Sequence, residues 1–534
     1  MYRKKFKRFM TGHIRASLVY HLVASLPLLT FAVAFVVVKL TRLNRIHLPW
    51  KALSVCLITV LILSTGLYLF LPIILDDAEA GLAGASALAM HGLPVYPDPS
   101  AAARYALLYG PLASLSHIPF YYLFGENLFA YKLAGVLAFL VSLLGLYRIC
   151  RKYADPRASL LGLGCGSVLL FQYLGYDFWG RSDPLILLLV VASIWTAIDG
   201  PDWAVVLVAA IALGVLPNLK ISAAAYMFPV VGFIVTKKGW RIASLCAGLG
   251  LCLFALPFSL HQVSIPNYFF ILGVARHHGL NPDFLFRNFQ YAVILLCPVI
   301  LLFRGQSTRG SREQFWYLGL LACGLGATCV LGAKVGAGNY HLFPYVAPLL
   351  HLYFWRRSEL TAPDRDIAAG RFAIPIVFTL LFYSAIHIRD YLHVYEFSPS
   401  GADAISEIRA VEDRYKGHRI EVGIGDRWDD SLISYGAVSA LDGEPYTLNF
   451  TAIRDMQLGG VEVPDSTATY IRSCGTDVWL IPKGEAPFAA SNSYFESNHP
   501  AFGDALRDAF ATHYRKVDSL AAFDVWVCAS EALH

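Results

Sequence analysis

Apolar runs of near-membrane length, separated by short polar loops, fill residues 1–390. They lie at 17–40, 52–75, 127–147, 158–173, 184–198, 203–216, 221–235, 242–260, 289–303, 315–331, 342–355 and 372–388. A bilayer core is crossed by about 20 consecutive apolar residues in a helix. The pattern therefore predicts a polytopic α-helical membrane protein of about 11–12 transmembrane helices. Segment 95–125 differs. Pro97, Pro99, Gly110, Pro111 and Pro119 break it, so it reads as helices lying at the membrane surface. From about residue 397 the pattern changes. Strand-like runs at 419–425, 477–482 and 523–528 alternate with helix-like stretches at 402–415 and 504–513, as in a small α/β domain. Three regions follow: 1–51, basic with the first run; 52–390, transmembrane with loop helices at 76–126; and 391–534, an α/β domain.

The loops alternate in charge. Those at 148–157, 237–241, 304–312 and 356–371 carry Lys and Arg and are expected in the cytoplasm. The loops at 174–183, 261–288 and 332–341, Lys220, the acids after the second run and everything after 388 then share the outer side. The C-terminal domain is accordingly expected to be extracytoplasmic. One run resists this scheme. The basic N-terminus and the basic 39–51 linker flank run 17–40. Either that run is re-entrant or interfacial, or the N-terminus lies outside. No A-x-A site follows it, and it is too long for a signal-peptide core, so an uncleaved segment is expected.

Composition agrees. The 534 residues are 56% hydrophobic and only 15% charged, against about 25% charged in soluble chains. The net charge of +5 sits in short loops, where it sets orientation and does not point to nucleic acid. Eight of the ten cysteines lie in or beside apolar runs and read as small hydrophobes. Cys474 and Cys528 stand alone in the C-terminal part. They could pair in an oxidising compartment, or remain separate thiols. No C-x-x-C, H-E-x-x-H, Walker or dinucleotide motif occurs.

The candidate chemistry begins where run 52–75 stops, at LDDAEA. Asp76 and Asp77 at a membrane edge are costly and suit a general base; capping of the following helix is the alternative. Asp76 is the first choice and Asp77 the second. Glu79 is placed with the substrate-binding groups. Glu79 could bind a divalent metal with the acids, but no His or third ligand has clear spacing, so a metal is the weaker option. Arg181, Lys220, Arg276 and Lys334 lie on the side where the positive-inside rule does not place cations. They suit a phosphate. Lys220 could instead snorkel, and Lys334 lies in a glycine-rich turn. Asn339 and Tyr340 could bind headgroup or sugar, or cap a helix. His277 and His278 follow Arg276 and read as ligand contacts or as a polar patch. Tyr105, Tyr109, Tyr121 and Tyr122 read as an interfacial belt, with a sugar platform that includes Tyr109 as the alternative.

LDDAEA, LYGPLASLSHIPFYYLFG, WGRSDPLILLL and LGAKVGAGNYHLFPYVAPL occur in that order. In this the chain resembles the GT-C superfamily of integral-membrane glycosyltransferases, and within it the protein O-mannosyltransferases and lipid A aminoarabinose transferases. Gly110-Pro111 replaces the usual Pro-Pro, and Asp-Asp the common Asp-Glu. The resemblance implies a sugar donor on polyprenyl phosphate, a lipid, glycan or protein acceptor, an inverting outcome and an outer-face site. It also implies a multi-pass protein of a bacterial inner or plasma membrane, in contact with membrane lipids. A glycan ligase or polymerase using a pyrophosphate-linked donor is the alternative within the superfamily. A transporter is the alternative outside it, but that would call for midplane polar residues and a repeat. A membrane scaffold would leave the acids and cations unexplained. The C-terminal part carries no recognisable catalytic constellation and is expected to be a lid or acceptor-binding module.

Overall fold

The computed structural model describes residues 50–74, 77–174, 180–303, 311–361, 401–427, 431–495 and 499–529. The runs at 17–40 and 372–388, and Asp76, lie outside these residues.

The other ten apolar runs are helical, and among the described residues six helices are long and apolar enough to cross a membrane. In chain order the elements are α1 (Trp50–Phe70), α2 (Asp77–Met90), α3 (Pro111–Leu115), α4 (Ile118–Phe124), α5 (Leu128–Tyr153), α6 (Pro156–Leu174), α7 (Asp183–Asp199) and α8 (Asp202–Leu219). A 3-10 turn, Ile221–Tyr226, enters α9 (Met227–Lys238). Then come α10 (Trp240–Ala255), α11 (Ile265–Arg276), α12 (Pro282–Phe303) and α13 (Arg312–Leu331), and a second 3-10 turn, Asn339–Tyr345, enters α14 (Val346–Ser358).

Local chemistry sets these ends. The Asn127 side chain accepts from the Ala130 N–H at 2.9 Å and starts α5. Ser311 and Gln314 form a reciprocal capping box that starts α13. Lys237 and Lys238 close α9, and Arg356 and Arg357 close α14, where the helix dipole favours cations. Inside the bundle small residues permit close approach. A Cβ on Gly214 of α8 would stand 2.6 Å from Leu253 of α10, and one on Gly250 of α10 would stand 2.8 Å from Leu213.

The described residues of the basic loops gather at one end of the bundle. Lys152 pairs with Asp199 at 2.5 Å, Lys237 with Glu313 at 2.9 Å and Lys238 with Asp202 at 3.1 Å. Lys237 also lies over the Trp355 ring. The loops that the charge pattern puts on the opposite side meet around a cavity at the other end.

The C-terminal unit has α15 through residues 401–414, β1 (Ile420–Val422), α16 (Gly436–Leu441), α17 (Phe450–Leu458), α18 (Asp465–Arg472), β2 (Val478–Pro482), β3 (Ser491–Asn492), β4 (His499–Pro500), α19 (Asp504–His513), β5 (Tyr514–Ser519) and β6 (Phe523–Cys528). The main sheet has the order β1-β2-β6-β5. β1 and β2 are parallel, with Ile420 opposite Val478; β6 lies antiparallel between β2 and β5. β5 was not foreseen. It is an edge strand with mostly exposed residues, including Arg515 and Lys516, so it lacks an apolar alternation. Cys474 and Cys528 are joined by a disulfide that ties the end of α18 to β6, with Cα atoms 6.0 Å apart.

This unit is packed on the bundle through α2, whose residues 78–89 are all buried. A Cβ on Gly84 would stand 2.5 Å from the Tyr446 ring, so the Ala/Gly-rich surface of α2 is what admits the domain. The loop before α3 adds a backbone bridge: the Arg104 N–H donates to the Thr447 carbonyl at 2.6 Å, and the Asn449 N–H to the Arg104 carbonyl at 2.8 Å. Tyr105 and Tyr121, expected in an interfacial belt, are instead buried in this shared core, because the domain covers the loop. Tyr122, at 71% exposed, has the surface position expected of a belt residue.

Half-buried Glu412 on α15 gives a pH prediction. Burial, with the carboxylates of Asp442 and Glu444 adding repulsion, pushes its carboxyl up to about 7. The folded state thus favours the protonated form. Its stabilising effect is present below the ordinary carboxyl range and is lost as pH rises through about 7. Glu412→Gln should leave the melting temperature unchanged at pH 4 and raise it by a few degrees at pH 8. A thermal melt at both values checks this.

Candidate functional site

A cavity of about 720 Å³ lies between the bundle end and the C-terminal domain. Its bundle wall carries Asp77, Tyr109, Arg181, Lys220, His278, Lys334, Tyr340 and His341. Its other wall carries Ser434, Thr451, Arg454, Asp455 and Tyr494.

Asp77 occupies the first turn of α2, where the helix dipole favours a carboxylate. Groups of the C-terminal domain take both its oxygens: the Ser434 hydroxyl donates at 2.8 Å and the Arg454 guanidinium at 3.2 Å. Arg454 is buried, with the Phe450 and Tyr494 rings each 5.0 Å from it.

Lys220 caps the C-terminus of α8, nine-tenths buried. Its ammonium stands 3.7 Å from an oxygen of Asp183, 4.7 Å from the Tyr340 ring centre and 5.4 Å from that of Tyr109. Among the described residues it makes no hydrogen bond. The aromatic rings favour the cation, while its donors remain open toward the cavity. Gly110 explains how Tyr109 comes so near. Its N–H donates to the Leu219 carbonyl at 3.1 Å, and a Cβ there would stand 2.1 Å from the Asn218 carbonyl oxygen. The departure from Pro-Pro at this position lets one backbone rest directly on the other.

Lys334 donates to the Ala275 carbonyl at 2.7 Å, and burial holds its ammonium below the usual lysine range. His278 is buried, its Nε2 2.8 Å from the Asp455 carbonyl oxygen. Burial lowers its pKa, so a neutral ring donating from Nε2 fits. Arg181 follows Gly180, whose carbonyl accepts from the Tyr131 hydroxyl. Asp455 lines the cavity from α17, and burial pushes its carboxyl up to about 7 against the pull of Arg454 and Arg181.

Four of the candidates are not on the wall. Glu79 is 1% exposed behind it and accepts from the Tyr68 hydroxyl. Two positions after Asp77, it lies about 200° around the helix and so faces away. Arg276 and His277 are exposed at the end of α11, outside the lining, with His277 bonded back to the Gly273 carbonyl. Asn339 is half-buried at the start of its 3-10 turn. Asp76, the first choice of base, falls outside the described residues. Among the described residues no group of three His, Cys, Asp or Glu is arranged to hold a metal.

The C-terminal domain, expected to be a lid or acceptor-binding module, contributes Arg454 and Asp455 to the cavity wall, two residues that the sequence did not single out. The signal was faint: an adjacent Arg-Asp pair on the short helix FTAIRDMQL, whose neighbours are mostly buried.

Residues 110–263 match the family model described as dolichyl-phosphate-mannose-protein mannosyltransferase. The fold is similar to that of a crystal structure of ArnT from Cupriavidus metallidurans bound to undecaprenyl phosphate. The TM-score is 0.56 at 12% identity, covering 89% of this chain and 98% of that one. No curated protein matches by sequence. The chain is thus similar to that family over residues 110–263 and to ArnT in overall fold, its own C-terminal domain containing a sheet.

Proposed function

We propose that the chain transfers a sugar from a polyprenyl-phosphate donor to a hydroxyl of a lipid, glycan or protein acceptor at the outer face of the membrane. One observation carries this reading: a carboxylate, Asp77, and the cations Arg181, Lys220 and Lys334, from four separate parts of the chain, line one cavity. Several cations near a carboxylate suit a reaction in which a phosphate departs as a hydroxyl loses its proton. The similar ArnT structure holds undecaprenyl phosphate, a carrier of the kind required. The Cys474–Cys528 disulfide fits an oxidising, extracytoplasmic side.

In the proposed step the acceptor oxygen attacks the anomeric carbon. The bond from that carbon to the phosphate oxygen breaks on the opposite face, and polyprenyl phosphate leaves with the bonding pair. The hydroxyl proton passes to Asp76, the carboxylate beside the one already held by Arg454. Lys220, with free donors, meets the leaving phosphate, and Arg181 and Lys334 add positive field. Inversion follows from the single displacement.

Lys220→Met tests the donor side. A hydrogen bond to a charged group contributes about 1.5–3 kcal/mol, so binding of undecaprenyl phosphate to the purified protein should weaken by about 10- to 100-fold. A dissociation constant equal to that of the unaltered protein would reject the assignment. Mass analysis of surface glycans and lipids, with and without the protein, tests the reaction itself and names the product.

A further inference from the structure

The two walls of the cavity differ in chemistry. The bundle wall offers ammonium and aromatic groups in Lys220, Lys334, Tyr109 and Tyr340. Arg181 lies on that wall too, and its one carboxylate, Asp77, is engaged by the other wall; the C-terminal wall offers the hydroxyls of Ser434, Thr451 and Tyr494 and the Asp455 carboxyl, with one guanidinium, Arg454, committed to Asp77. Ser434 is bonded to Asp77, and Thr451 accepts from Arg454 at 3.0 Å. The Asp455 carboxyl has no hydrogen-bond or ion-pair partner among the described residues, although its own backbone carbonyl is fixed by His278. Arg454, the preceding residue, is turned toward Asp77 and held between two rings. A carboxyl on a half-buried wall that Arg454 and Arg181 attract but no protein donor bonds is costly, and a ligand hydroxyl can supply the missing donor.

We infer that α17 supplies the acceptor half of the site, and that Asp455 recognises the acceptor by taking a hydrogen bond from one of its hydroxyl groups. This rests on the transfer reading above. The division follows from position. A lipid-linked donor reaches the cavity from the bundle, and a polyhydroxyl acceptor meets the wall of the soluble domain. Asp455 thereby becomes a specificity residue, and the domain holds part of the binding site in addition to covering it.

The test uses the full-length protein with Asp455→Asn, which keeps size but loses the charge, and Asp455→Glu, which keeps the carboxyl. Each is placed in cells lacking the native copy, and the surface product is quantified by mass analysis. Undecaprenyl phosphate is the binding probe for the purified variants. Losing one charge-assisted hydrogen bond should lower product by at least about tenfold in Asp455→Asn. Asp455→Glu should recover part of it, the dissociation constant for undecaprenyl phosphate should stay within about twofold, and unused lipid-linked sugar should accumulate in the membranes. Unchanged product would overturn the inference. So would carrier binding that falls together with product, which would make Asp455 a donor-side or structural group. Should the unaltered protein neither bind undecaprenyl phosphate nor change the surface product, the transfer reading itself fails, a result distinct from either of these.

Discussion

Asp76→Asn is expected to lower sugar transfer by about 10²- to 10⁴-fold, the usual contribution of a positioned general base, with carrier binding unchanged. Asp77→Asn should fail in another way. Both oxygens of Asp77 are engaged by Ser434 and Arg454, and the two side chains of the ion pair are only 18% and 10% exposed. Removing one partner of such a pair across a contact costs about 2–5 kcal/mol, mostly through the charge left behind. The asparagine at 77 should therefore loosen the C-terminal domain from α2. Limited proteolysis would then degrade the C-terminal domain faster than in the unaltered protein, and activity would fall with it. Transfer assays and proteolysis on both variants separate the roles. Full activity in Asp76→Asn, with loss in Asp77→Asn alone, would move the base to Asp77.

The second large effect concerns a residue that does not line the cavity. Lys132 on α5 is fully buried, and its ammonium donates to the carbonyls of Tyr68 at 3.1 Å, Leu71 at 2.9 Å and Ile73 at 2.6 Å. It lies 4.4 Å from the Tyr68 ring centre and feels the buried Glu79 carboxylate. These carbonyls belong to the end of α1 and the stretch leading into the two acids, where a helix leaves orphan acceptors. Lys132→Met strips three acceptors of their donor and Glu79 of its cation, a change expected to cost about 3–5 kcal/mol. Transfer should fall with stability, because the acids lose their anchorage. Adding Glu79→Gln to Lys132→Met should restore part of the loss, since it removes the buried carboxylate charge that Lys132 offsets. Thermal unfolding of the two single variants and the double variant in detergent gives the coupling. Strict additivity would mean that Lys132 and Glu79 act independently.

Much of this architecture was legible because bilayer physics writes itself into the chain. Spans need long apolar runs, and cations away from the basic loops need a reason. That is how Arg181, Lys220 and Lys334 were singled out, and all three line the cavity, although Arg276 satisfied the same test and lies on the surface, as does His277 beside it. Loop position does not say which way a side chain turns. Glu79 illustrates the same limit within a helix. Arg454 and Asp455 were not legible. Arg454 meets Asp77 across 377 positions of chain, and only tertiary packing brings them together. The Lys132 anchor was equally hidden, since a lysine near the start of an apolar run reads as a span edge until its three acceptors are known.

The separation in sequence of the two walls has a consequence for biosynthesis. Ser434 comes 357 positions after Asp77, and Tyr494 follows later still. A nascent chain with every bundle helix inserted still has an open half-cleft. The pocket closes only after the ribosome has passed Tyr494 and that segment has folded against α2, so an incomplete polypeptide cannot form the complete pocket.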